Sequence, residues 1–122
     1  MAQILLTFDL DRETDAAVRE ICKRLGIQKK NVATKDYAQK LGCLAGVTGF
    51  AREKTIYTGS AFSEGMIVFS GVSSGLLDLF LAEYGKTSLP AIGIKAIITA
   101  HNVFWTAEML YRELCREHAS HS

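Results

Sequence analysis

The sequence predicts one small α/β domain over residues 1–122, with a three- or four-stranded, mostly parallel sheet and flanking helices. Three observations predict it. Apolar runs at 4–8, 66–69 and 92–99 have the length and pattern of buried strands. The stretches between them place apolar residues at helical spacing. The 122 residues are 48% apolar and 22% charged, with a net charge of +1, too apolar and too balanced for disorder and enough for one core.

Each element has its own reason. Ile4, Leu5, Leu6, Thr7 and Phe8 form the first strand. Asp11 then caps a helix over 11–25, with Glu13 and Asp15 in its first turn, Lys23 and Arg24 in its last and Gly26 beyond. Val18, Ile21, Cys22 and Leu25 make its single apolar stripe. A short strand is expected around Val32. A helix over 36–45, capped by Thr34 or Asp36, would put Tyr37, Leu41 and Leu44 on one face. Residues 46–65 are rich in Gly, Ser and Thr and read as a long loop or a hairpin arm.

Order resumes at Met66-Ile67-Val68-Phe69. The turn Ser70-Gly71-Val72-Ser73-Ser74-Gly75 leads into a helix over 76–84 that is apolar on nearly every face. Such a helix is either deeply buried or covered by another subunit. In the strand over 92–99, Ile92, Ile94, Ala96 and Ile98 share one face. Asn102 is read as the cap of the last helix, whose core stripe is Val103, Ala107, Leu110 and Leu114, widened by Phe104 and Tyr111. Repeated strand–helix units imply right-handed crossovers. No internal repeat and no linker show in the sequence.

The second half carries a recognisable string. It runs Met-Ile-Val-Phe-Ser-Gly at 66–71, then Lys95-Ala96-Ile97-Ile98-Thr99-Ala100-His101-Asn102-Val103-Phe104-Trp105, then Glu113-Leu114-Cys115-Arg116-Glu117-His118. Over about residues 66–118 this resembles a family of small, mainly bacterial domains catalogued as domain of unknown function 3783. The resemblance implies a small α/β domain and carries no assigned activity.

If the strands are parallel, Asp9, the 70–75 turn and residues 99–102 converge on one edge, where ligands of open α/β sheets sit. Ser70, Gly71, Ser73 and Ser74 at a helix N-terminus suit a small anion; equally, Ser73 or Ser74 simply caps the helix and Gly71 turns the chain. Thr99, His101 and Asn102 are candidates for the same site, and Lys95 is the odd cation in an apolar strand. The rival readings are a loop histidine beside a capping asparagine and an edge lysine that discourages strand pairing. The leading functional expectation is a non-enzymatic module that binds a small anionic ligand or a protein partner; a small enzyme using His101, Asn102 and Lys95 is the alternative function.

Self-association is expected, as a dimer, through Leu77, Phe80, Leu81 and Tyr84 or through Trp105 and Met109. The mean hydropathy of +0.12 points the same way. Charge is uneven: net −3 over 1–21, +5 over 22–46 and −1 over 47–122. The basic block could contact nucleic acid, but only Tyr37 interleaves with its lysines, so a solvated face is favoured. No CxxC, HxH or HxxxH spacing occurs, so no metal and no cofactor is expected. Cys22, Cys43 and Cys115 read as small buried hydrophobes, and His118 and His121 as solvated tail residues. No apolar run reaches membrane-spanning length, and MAQILLTFDLD lacks a basic leader region. A cytoplasmic protein is the expectation.

Overall fold

The computed structural model describes residues 2–120. It is a single α/β layer structure: β1 (Ile4–Phe8), α1 (Arg12–Leu25), β2 (Gln28–Asn31), a 3-10 turn (Thr34–Asp36), α2 (Leu41–Leu44), β3 (Met66–Ser70), α3 (Ser74–Gly85), β4 (Ile94–Ile97) and α4 (Ala107–Ser120). The strands lie in the order β2-β1-β3-β4. β1 pairs with β2, and β3 with β4, in parallel, whereas β1 and β3 are antiparallel. Every residue of the two central strands is buried.

Alternation along these strands makes two cores. Leu5, Ile67 and Phe69 face α1 and α3, where they meet Val18, Ile21, Cys22, Phe80 and Tyr84. Leu6, Phe8, Met66, Val68 and Ile94 face the opposite way, toward Tyr37, Leu41, Leu44, Phe62, Ala107 and Leu110. That second layer is built from α2, α4 and the long loop.

The antiparallel central pair has a simple cause. Residues 32–65 contain no helix long enough to carry the chain back across the sheet, since α2 has four residues. They wrap over one face instead and deliver β3 running against β1. Asp9, at the end of β1, therefore does not share an edge with the 70–75 turn and residues 99–102; it lies beside the start of β3, where Phe8 pairs with Met66. The expected convergence of all three strand ends is corrected accordingly.

Several element expectations also change. The strand expected around Val32 is Gln28–Asn31, and the one over 92–99 is Ile94–Ile97, with Ile92 on the α1–α3 side of the sheet rather than with Ile94, Ala96 and Ile98. Val103 lies in the turn before α4 rather than on its core stripe. The helix over 36–45 is a 3-10 turn followed by the short α2. Residues 37–42 are zipped instead to the start of α4: Leu41 N donates to Trp105 O (2.8 Å), Ala107 N to Gln39 O (3.2 Å) and Glu108 N to Tyr37 O (3.1 Å). Asn102 does not cap α4, which begins at Ala107; Thr106 Oγ1 accepts from Met109 N there (3.2 Å). Phe104 lies in the preceding turn, 62% exposed and outside the core stripe. Residues 46–65 contain no strand, so the loop reading holds over the hairpin arm.

The loop is fastened by specific polar contacts. Gln39, 1% exposed, behaves like a strand edge: its Oε1 accepts from Glu53 N (2.9 Å) and its Nε2 donates to Glu53 O (2.7 Å). Asp9 sits in the left-handed region, φ 53°, which Asp tolerates better than most residues. Its carboxylate accepts from Tyr37 Oη (2.5 Å) and Phe62 N (2.8 Å). Phe62 stacks between Tyr37 and Tyr111, at 4.2 and 3.8 Å.

The structure also holds a repeat that the sequence hides. Ile4 and Met66 open equivalent strands, Asp11 and Ser73 cap equivalent helices, and Arg12 and Ser74 begin them, each pair 62 positions apart. Asp9 (φ 53°) and Gly71 (φ 69°) make the same left-handed step at the same offset. Leu6 pairs with Val68, its own equivalent, so an approximate two-fold axis passes through that pair.

Two measurements probe this architecture. Gln39→Leu strands the Glu53 amide and carbonyl, and is expected to lower the unfolding free energy in urea by about 1–3 kcal/mol. Alkaline titration probes the cores. Burial pushes the Cys22 thiol from 9.0 up to about 11, and burial, followed by the hydrogen bond to Asp9, raises the Tyr37 phenol. Both groups hold their protons more tightly when folded, so stability is complete below about pH 9 and falls as pH rises through about 11. A flat profile across that window would contradict the burial of these groups.

Candidate functional site

The residues singled out in the sequence separate in space. Ser70 is on the α4 side of the sheet, bordering a cavity of about 410 Å³ with Ile4, Ala45, Val47 and Thr48. Lys95 and Thr99 line a groove of about 400 Å³ on the α3 side. Ser73 is the helix cap, its Oγ accepting from Leu76 N (3.1 Å), and Gly71 supplies the positive φ that turns the chain. Ser74 is the first residue of α3.

The His101 turn is a structural unit of its own. Asn102 Oδ1 accepts from Thr99 N (2.8 Å) and its Nδ2 donates to Ile97 O (3.0 Å). Both ends of the amide hold the turn. The His101 ring packs edge-on against Trp105, centroids 5.3 Å apart. Lys95 Nζ donates to Ile92 O (3.0 Å). Lys95, His101 and Asn102 are thus not joined in one hydrogen-bonded set. Among the described residues, no group of three or more His, Cys, Asp or Glu is placed to hold a metal ion. His118 is exposed, and His121 lies outside the described residues.

The basic block is largely paired. Lys29 Nζ meets Asp15 (2.7 Å), Arg24 meets Glu83 (2.8 Å) and Lys40 meets Glu53 (3.7 Å). Lys30 Nζ donates to Leu44 O at the end of α2 (2.7 Å), where a cation complements the helix dipole. The Arg24–Glu83 contact ties α1 to α3; Lys86 and, after it, Arg24 hold the Glu83 carboxyl below the ordinary carboxylate range.

The expected interface residues divide in a telling way. Phe80 and Tyr84 are core: Phe80 meets Phe69 edge-on at 5.2 Å, and Tyr84 Oη donates to Pro90 O (2.8 Å). Burial inside the chain removes them as surface anchors. Leu77 and Leu81 instead border the groove, together with Phe69, Lys95, Ile97 and Thr99. Leu81 is 38% and Ile97 43% exposed. Leu81 and Lys95 also border an adjoining hollow of about 230 Å³, so the groove continues along α3 toward Tyr84. Trp105 is half-buried and packs on the other core, and Met109 is exposed on α4.

The approximate two-fold axis shows why this groove is unusual. Strand register makes Lys29 and Lys95 equivalent, and Asn31 and Ile97. At the 62-residue offset, Asp15 corresponds to Leu77 and Arg19 to Leu81. In the first unit these positions form an ion cluster, with Asp15 bound by Arg19 (2.5 Å) and Lys29 (2.7 Å). The second unit places leucines and an isoleucine in the same setting. No spacing rule in the sequence reveals this, because the two units share almost no residue identities along the matched positions.

Among the described residues no helix is long and apolar enough to cross a membrane. Neither a search of curated proteins nor one of solved structures returned a match. Residues 65–120, which comprise β3, α3, β4 and α4, match the family model described as Domain of unknown function (DUF3783).

Proposed function

We propose that this chain is a protein-docking module whose working surface is the groove between α3 and β4. One observation carries the reading: Leu77, Leu81 and Ile97 occupy positions that the first half of the same fold fills with Asp15, Arg19 and Asn31. The fold therefore tolerates charge there, and Leu81 and Ile97 stand exposed outside the core, whereas Leu77 also packs against the α1–α3 core. A groove of about 400 Å³ with exposed aliphatic walls and one lysine suits an apolar ridge better than a small polar molecule.

The competing readings draw less support. An anion at the 70–75 turn would meet a Ser73 hydroxyl that already caps α3 and would find Ser70 on the other side of the sheet from Lys95, which leaves it Ser74 and the backbone. The enzyme reading loses Asn102 to the turn. A nucleic-acid surface over 23–40 would compete with Asp15, Glu53 and Glu83 for its cations. Action inside the cytoplasm is part of the proposal and rests on the absence of paired or closely spaced cysteines.

The test separates docking from packing. At submicromolar protein, Leu81→Lys and Ile97→Thr are expected to shift the urea unfolding free energy by no more than about 0.5 kcal/mol. A loss above about 2 kcal/mol would make both residues part of the core and remove the docking reading.

A further inference from the structure

We infer that the occupant of the α3–β4 groove is a second copy of this chain, bound across a two-fold axis with the two α3 helices antiparallel. The inference rests on the docking reading and names its partner. It starts from Lys95. Its equivalent, Lys29, has its ammonium on Asp15 at 2.7 Å. Asp15 corresponds to Leu77 in the second unit, and among the described residues Lys95 Nζ makes one hydrogen bond, to the Ile92 carbonyl at 3.0 Å. Among the residues that line it, the groove thus keeps the lysine and has no acid, although Lys95 also borders a separate hollow toward α4 with Glu117. A fitting partner brings a carboxylate flanked by apolar side chains.

Helix α3 itself carries that combination. Asp78 is exposed, adjoins Leu77 and lies three residues from Leu81. Its carboxylate has no hydrogen bond or ion pair among the described residues. The ends also match. The hollow toward Tyr84 includes Leu81 and Lys95, whereas Leu77 belongs to the stretch with Ile97 and Thr99. A two-fold axis across the groove swaps these ends, as an isologous contact requires. Asp78 of each copy then faces Lys95 of the other, and the Leu77–Leu81 ridge of each enters the other's groove. One lysine and one aspartate make the patch neutral and complementary to itself.

The contact runs through side chains rather than by extending the sheet. Asn102 Nδ2 already holds the Ile97 carbonyl at the free edge of β4. That blunts the edge against strand addition.

Sedimentation equilibrium of the full chain, from micromolar to submillimolar concentration, tests the inference. The expected particle is twice 13.4 kDa. Asp78→Lys and Lys95→Asp should each weaken the dimer about tenfold, the double swap should recover most of the loss, and Leu81→Lys should give the monomer. Circular dichroism confirms that each variant is folded. A 13.4 kDa particle across the whole range overturns the inference. So does a dimer indifferent to Leu81→Lys and to the charge swap. Either result, alongside silent Leu81→Lys and Ile97→Thr unfolding curves, removes the second copy as occupant without removing the docking groove.

Discussion

The antiparallel pairing of β1 with β3 organises this molecule. It joins two strand–helix–strand units back to back through the Leu6–Val68 pair, and buries both central strands completely. Each unit alone would expose one long apolar strand edge, an open template for pairing. Side by side they cover it. The same pairing sends the strand ends of the two units to opposite edges of the sheet, so no single edge gathers every helix N-terminus. It also packs α1 against α3 on one face and leaves the other to α2, α4 and the loop.

How far the sequence revealed this depended on the range of the interaction involved. Helix α1 was legible to its last residue, because Asp11, the graded charges and Gly26 are local signals. The strands β1 and β3 and a serine cap at Ser73 or Ser74 were legible for the same reason, whereas a loop and a hairpin arm read alike over 46–65 and the bounds of β2 and β4 did not show. The sense of β3 was not, since it depends on how residues 32–65 travel. Nor was the failure of the 36–45 helix, which lost its backbone groups to the 103–108 segment. Gln39 gave no signal at all: a buried amide imitating a strand edge depends on a loop residue fourteen positions away. At the candidate site, the apolar excess of α3 was visible, but its division was not. Only the fold shows that Phe80 and Tyr84 point inward while Leu77 and Leu81 border a groove.

The two units show one backbone plan carrying two surface chemistries. In the first, Asp15, Arg19 and Lys29 satisfy one another and close the flank of α1 with charge. In the second, leucines replace the acid and the arginine while the lysine remains. Arg19 is exposed and its pair with Asp15 contributes little to stability, whereas Lys29 and Asp15 are mostly covered and rely on each other for compensation. What the exchange changes is what the flank can hold. The segment that matches a family model is the unit with the apolar flank.

The long fastened loop has a kinetic consequence. Each strand–helix–strand unit closes over short stretches of chain, but Phe8 and Met66, neighbours across the central pair, are separated by everything from Asp9 to Gly65. Closing a segment of that length carries an entropy cost before any contact offsets it. Asp9, Gln39 and the Tyr37–Phe62 stack all lie within that segment, and Tyr111 of α4 packs on Phe62 from outside it. Their contacts shorten the effective span as they form. In this chain the loop thus acts as the tether that governs how fast the two halves meet, and its polar clasps belong to the assembly of the sheet as much as to its finished shape.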